Sequence, residues 1–190
     1  MADTRIVVAD YNDEWSRRAE RVSAEVVAAG GGAVVRVEHI GSTSIPEMAA
    51  KDVIDLQAIV DDLDRAAAAL DDPLAAMGYE RLPYEHDHVP AGSDDDPERW
   101  VKRLWARRNG VDPSVNLHVR LVGSPNERLA LLFRDWFRAH PEAVPAYAAF
   151  KRTLAAELPD VGAYSDVKDP VVDLIIAIAE PWATETGWSP

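Results

Sequence analysis

The sequence predicts an α+β domain, with a mixed β-sheet flanked by helices and a helical last third. Three observations carry this. A chain of 190 residues with 47% apolar content can bury one ordinary core. Up to about residue 123, short β-branched runs alternate with segments of helical period. Beyond Ser124 the apolar residues recur at helical spacing only. No repeat of about 20–50 residues is present, which argues against a solenoid or propeller. With no composition break to mark a linker, residues 1–190 read as one domain, about 5–123 forming the α/β core and about 124–184 the helical part.

The elements follow in order. Asn12 is placed to cap a helix that buries Trp15, Ala19, Val22 and Val26 and stops at Gly30, Gly31 and Gly32. "AVVRVEH" reads as a strand, and "DVIDLQAIV" as another by its length and β-branched content. On that second strand Val53, Asp55, Gln57 and Ile59 share one face, because side chains alternate. A helix over about Leu63–Met77 ends at Gly78. "YERLPYE" is a short strand limited by Pro83, and "HDHVPAGSDDDPE" is a polar loop expected to move. "RWVKRLWAR" and "SVNLHVRLV" pair as a hairpin through the turn residues Asn109 and Gly110, so that Asn116, His118 and Arg120 share a face. Ser124, Pro125 and Glu127 start a helix as N-cap, first-turn proline and capping-box acid. Helices over about 142–157 and 166–180 complete the chain.

Composition narrows the function classes. A net charge of −13 disfavours broad attraction to nucleic acid or an anionic membrane, so any polyanion site must be a local pocket. The absence of cysteine removes disulfides, thiolate nucleophiles and thiolate metal sites. The first residues lack the apolar core of a secretory signal, and "LIIAIA" is too short to span a bilayer; a cytoplasmic protein is expected.

The chemistry-bearing candidates cluster in "HIGSTSIPEMAAKDVIDLQ". Gly41 permits close approach of an anion, while Ser42, Thr43 and Ser44 add hydroxyls to backbone amides, a composition suited to phosphate. A plain connecting loop has the same composition. Asp55 on the following strand is an acid in an apolar run, costly if buried and unpaired. Two residues on, Gln57 offers a neutral oxygen in place of a second charge, with Glu38 and the acidic run Asp94–Asp96 as other sources of a carboxylate. His39 precedes the turn and Lys51 follows it. Arg99, Arg103 and Arg107 alternate along one strand, as an anion-binding row or a solvated face. His118 is either a structural histidine or a metal ligand or proton carrier opposite Asp55. His86 and His88 suggest zinc but lack a third ligand, and Trp100, Trp105 and Trp136 read as core.

"VEHIGSTSIPEMAAKDVIDLQAIV" resembles the signature of the GrpB family, usually His-Ile-Gly-Ser-Thr-Ser-x-Pro-Gly-Leu-x-x-Lys-Pro-x-Ile-Asp-Ile. The resemblance continues through "DYNDEW", "NLHVRLV", "FRDWFRAHPEAVPAYAAFKRTLA" and "YSDVKDPVVDLIIAIAEPW", and so covers nearly the whole chain. It implies a nucleotidyltransferase-like fold, with a Gly-Ser turn, a carboxylate pair on the next strand and a third acid on a neighbouring strand. Residue by residue, it implies that Gly41 and Ser42 hold phosphate and that Asp55 is the first acid. Gln57 stands where the second acid belongs and His118 where the third does; Glu47-Met48 replaces Gly-Leu and Asp52 replaces Pro. The expected function is binding of a nucleotide or other phosphorylated molecule at Gly41, Ser42, Thr43, Ser44, Lys51 and Arg103. A possible nucleotidyl transfer would use magnesium on Asp55, Gln57 and His118, with Asp55 and His118 as its catalytic residues. The alternative is a non-catalytic ligand- or partner-binding module. Some relatives carry the domain fused to dephospho-CoA kinase, which links it to coenzyme A metabolism by association only.

Overall fold

The computed structural model describes residues 6–108, 110–158 and 161–190. Helix α1 (Glu14–Gly30) leads through a 3-10 turn to strand β1 (Arg36–Ile40). A second 3-10 turn, Ser42–Ser44, precedes β2 (Ile54–Val60), α2 (Leu63–Ala76) and β3 (Tyr79–Leu82). Then come β4 (Lys102–Arg107), β5 (Val115–Leu121), α3 (Pro125–Ala139), α4 (Val144–Glu157) and α5 (Val161–Thr186). The strands form one sheet in the order β1-β2-β5-β4-β3, with β2 and β5 parallel and the other neighbours antiparallel. The α+β class, the mixed sheet and the helical end are as expected.

Local chemistry explains most boundaries. The Asn12 Oδ1 accepts the Glu14 N–H at 2.9 Å, which fixes the start of α1. Asp62 caps α2 by accepting the N–H groups of Asp64 and Arg65, both at 2.9 Å. Ser124 Oγ accepts from Glu127 N, while the Glu127 carboxylate accepts Gly123 N–H at 2.6 Å, closing the first turn of α3. Two expectations shift. Strand β1 begins at Arg36, because Gly31–Ala33 tighten into a 3-10 turn, and Arg99 lies in the 3-10 turn Pro97–Trp100 and not on β4. The hairpin forms, but Asn109 falls outside the described residues.

The two faces of the sheet differ in chemistry. On one face Ile54, Leu56, Ala58 and Val60 of β2 and Val115, Leu117 and Val119 of β5 pack against α1 and α2 in an apolar core. On the other, Asp55 aligns with Asn116, Gln57 with His118 and Ile59 with Arg120. A second apolar cluster joins Ile45 and Met48, beyond the Ser-rich turn, to α3, α4 and α5. The polar face of β2 and β5 therefore lies between the sheet and the C-terminal helices.

Candidate functional site

That interval holds a cavity of about 420 Å³, within the range of small-molecule sites. Its walls come from the Gly41–Thr43 turn, Lys51, the polar ends of β2 and β5, the loop carrying Asp87 and His88, and helices α3, α4 and α5.

Gly41 has φ +70°, and a Cβ there would lie 2.6 Å from Asp55 Oδ2. The turn thus sits directly on the Asp55 carboxylate, and only glycine fits. Its three hydroxyls separate in role. Ser44 Oγ donates to the Gly41 carbonyl at 2.6 Å, an internal bond of the turn. Thr43 Oγ1 lies 2.9 Å from His39 Nε2. Ser42 Oγ accepts from the Lys151 ammonium at 2.8 Å. His39 is kept neutral: burial, with Arg138 and Arg134 nearby, lowers its pKa to about 4. Arg138 also donates to the Ser44 carbonyl from Nε and Nη2, at 3.1 and 2.8 Å, tying the turn to α3.

Asp55 Oδ1 accepts from Asn116 Nδ2 at 2.6 Å, and Asn116 Oδ1 in turn accepts from Arg108. Gln57 is fully buried, with its Oε1 accepting from Arg120 Nη1 at 2.7 Å. Arg120 also donates from Nε to Asp87 at 2.8 Å. Asp87 further accepts from Lys102 Nζ at 2.5 Å and Asn126 Nδ2 at 3.0 Å. Against the opposing effect of burial, the charges of Arg120 and Lys102, with the Arg120 hydrogen bond, hold this carboxyl far below the usual carboxylate range. His118 faces the cavity beside this group; burial first, then Arg120 and Lys102, pushes its pKa well down, so it is neutral. Its Nδ1 is buried without a hydrogen-bond partner.

The expected residues are therefore brought together in part. Gly41, Ser42, Thr43, Lys51, Asp55 and His118 all line the cavity. Ser44 and Gln57 stand behind the wall with their polar atoms engaged. Arg103 is not brought there. It aligns with Val119 on the α1/α2 face of the sheet and donates to Asp64 at 2.9 Å, so the alternation that grouped it with Arg107 points both away from Asp55. Arg107 meets the Pro113 carbonyl and Glu25. Glu38 pairs with Arg134 and Arg36. His86 and His88 diverge to Glu98 and Asp173.

A two-carboxylate metal centre does not fit these positions. Asp55 is the one acid at an expected place, the Gln57 carbonyl is taken by a guanidinium, and His118 lies beside two cationic side chains. Among the described residues no three His, Cys, Asp or Glu side chains come together as a metal site.

Several cavity residues lay outside the sequence reading. Lys151 of α4 is 2% exposed, donates to the Ala49 carbonyl at 2.5 Å as well as to Ser42, and stands 5.0 Å from the Tyr147 ring centroid. Burial, reinforced by Lys168 and Arg152, lowers its pKa to about 7. Its sequence signal was a lysine in the apolar stripe Val144, Tyr147 and Leu154. Asp87 looked like a spacer in "HDH"; nothing local marks it, because its partners come from β4, β5 and α3. Arg108 and Lys168 complete the cationic wall, and Leu129, Phe133, Val172 and Ile176 give an apolar one.

The departures from the family pattern also find places. Glu47 has φ +60°, a conformation natural to the glycine usual there, and Met48 is fully buried in the second core as a leucine would be. Asp52 Oδ1 accepts from Trp15 Nε1 at 2.7 Å and from Arg18 at 3.2 Å, fastening the segment to α1.

The family model described as GrpB protein matches residues 5–177. A dephospho-CoA kinase of Mycolicibacterium paratuberculosis is 38% identical over 205 residues; the match covers 100% of this chain but 49% of that protein, so the chain spans about half the length of this relative. A UPF0157 protein of Halalkalibacterium halodurans, BH1888, is 31% identical over 90% of this chain and 80% of its own length. The crystal structure of conserved protein GrpB from Enterococcus faecalis superposes with a TM-score of 0.74 at 26% identity, covering 93% of this chain and 99% of that one.

Proposed function

The chain belongs to the GrpB family, and from that premise we propose that it binds a nucleotide or another phosphorylated small molecule in the cavity over β2 and β5. The observation that carries this reading is the convergence of Lys51, Lys151, Lys168, Arg108 and Arg120 on one cavity beside the Gly41–Ser42 turn, in a chain of net charge −13. Asp55, Asp87, Asp169 and Asp173 share the cavity, but grouped ammonium and guanidinium donors on one wall match phosphate oxygens. The wall of Leu129, Phe133, Val172 and Ile176 suits an apolar or aromatic portion of the same ligand. The test is thermal unfolding against ATP, AMP, dephospho-CoA and inorganic phosphate, each nucleotide beside its unphosphorylated nucleoside. Dephospho-CoA is included because the long relative bears that name. A ligand at about 100-fold over its Kd adds about 2.7 kcal/mol, or about 5–10 °C for a chain of this size. A panel in which no phosphorylated compound raises Tm above its unphosphorylated counterpart overturns the reading.

A second reading, nucleotidyl transfer, rests on the position of the Asp55 carboxylate directly beneath the Gly41 turn, and would have to work with that single acid where a two-carboxylate metal centre does not fit. Release of pyrophosphate from a nucleoside triphosphate with magnesium, lost in Asp55→Asn, would support it; ligand binding without turnover supports a binding module.

A further inference from the structure

We infer that this pocket takes its phosphorylated ligand free of divalent metal, with the Arg120 guanidinium as a built-in cation where a metal-dependent site would need a second carboxylate. The inference rests on the phosphate-binding reading above and specifies the ionic form of its ligand.

Each oxygen that a divalent ion would need at the second position is already committed. Gln57 is held at both ends, its Oε1 accepting from Arg120 at 2.7 Å and its Nε2 donating to the Glu127 carbonyl at 3.4 Å. The amide therefore presents its acceptor to a fixed positive charge. Asp87, bound by the same guanidinium, receives Lys102 on Oδ1 and both Arg120 and Asn126 on Oδ2. Arg120 itself is 6% exposed, yet it contributes to the cavity wall. Its Nε and Nη1 are spent on Asp87 and Gln57, so the guanidinium is locked in orientation before any ligand arrives.

Charge points the same way. A divalent cation entering near His118 would meet Arg120 and Lys102 across a poorly solvated interval, where like charges repel strongly. Four acids also line the cavity. Of these, Asp87 is neutralised as described, and Asp173 accepts from Ala91 N–H at 2.9 Å and lies 2.9 Å from His88 Nε2. Asp55, Asp169 and Asp173 remain against Lys51, Lys168, Arg108 and Lys151, the last with its pKa lowered to about 7, so the wall is close to balanced and its cations can meet an anion without a metal. Guanidinium and ammonium donors neutralise a phosphate with no metal bridge.

The experiment is calorimetric titration of the full chain with ATP and with inorganic phosphate, once in excess chelator and once in excess magnesium. Binding in chelator, with ATP bound no more tightly when magnesium is present, is the expected result. Binding that appears only with magnesium, or tightens at least about tenfold with it, overturns the inference while leaving phosphate recognition intact. Failure to bind in both buffers removes phosphate recognition itself, and the inference with it. A Gln57→Glu variant supplies the second measurement, because it places a carboxylate on Arg120 without removing a side chain from the core. It loses the Nε2 donation to the Glu127 carbonyl, so its ligand-free Tm should fall while the fold is kept; it should bind ATP about tenfold more weakly in chelator and gain no magnesium dependence. A Gln57→Glu protein that binds ATP only with magnesium overturns the assignment of Arg120 as the cation.

Discussion

Lys151 shows how one side chain can link stability to binding. Its ammonium is buried between Ser42 and Ala49, and its pKa is lowered to about 7. Between there and the ordinary lysine value the unfolded chain holds a proton that the folded chain lacks, so this group's contribution to stability rises with pH across that window. Lys51, also lowered by burial, acts in the same sense. Buried Tyr79 and Tyr147 oppose this only where tyrosine titrates, since burial raises Tyr79 to about 12 and Tyr147 well above the ordinary value. The expected outcome is a Tm that rises from pH 7 to about 9.5, more flatly in Lys151→Met. Phosphate binding should draw a proton onto Lys151 at pH 8, visible as a dependence of binding heat on buffer ionisation, and Lys151→Met should abolish it.

Two backbone positions give opposite predictions. Gly41→Ala forces a Cβ to 2.6 Å from the Asp55 carboxylate at a positive φ, and should destabilise by about 1–3 kcal/mol while weakening ligand binding. Glu47→Gly relieves a φ of +60° and should stabilise by about 0.5–1 kcal/mol. Denaturant titration reads both. An unchanged midpoint for Gly41→Ala would show that the turn can move off Asp55.

Among the elements, the loop after β3 shows where sequence reading ended. A polar run of this kind predicts a mobile connection, yet Asp87 draws it onto β4, β5 and α3 through Lys102, Arg120 and Asn126. Replacing Asp87 by Ala strands two buried cations and should cost about 3–5 kcal/mol, measured by urea denaturation. The Asp87 carboxyl is depressed, so its contribution is present above the unfolded carboxylate pKa and is lost as pH falls below it. His39 adds to acid sensitivity from pH 6.5 down to about 4, because only the unfolded state gains its proton there. Asp87→Asn should therefore show a weaker loss of stability below about pH 4 than the parent. By contrast, the start of α3 was legible from Ser124, Pro125 and Glu127 alone, because capping is satisfied within four residues.

For the whole molecule, the division of the sheet into an apolar face under α1 and α2 and a polar face under α3 to α5 arranges everything else. Two-residue alternation determined in the sequence that Asp55 and Gln57 share a face, and likewise Asn116, His118 and Arg120. The parallel pairing of β2 with β5 then made those two rows neighbours, a register that tertiary packing supplies. Among the described residues no helix is long and apolar enough to cross a membrane.

What the sequence determined by itself was periodic or local: the α+β class, the Gly41 turn ahead of Asp55, the caps, and the apolar faces of the helices. Only the tertiary structure decided which charges meet. Arg103, grouped by sequence with the phosphate candidates, went to Asp64 on the far face; Lys151, a lysine in a helical stripe, came to Ser42 across 109 positions of chain. Backbone geometry fixes which residues share a face within one element, but the partner of a buried charge is set by the packing of distant segments, and that packing has no local signature.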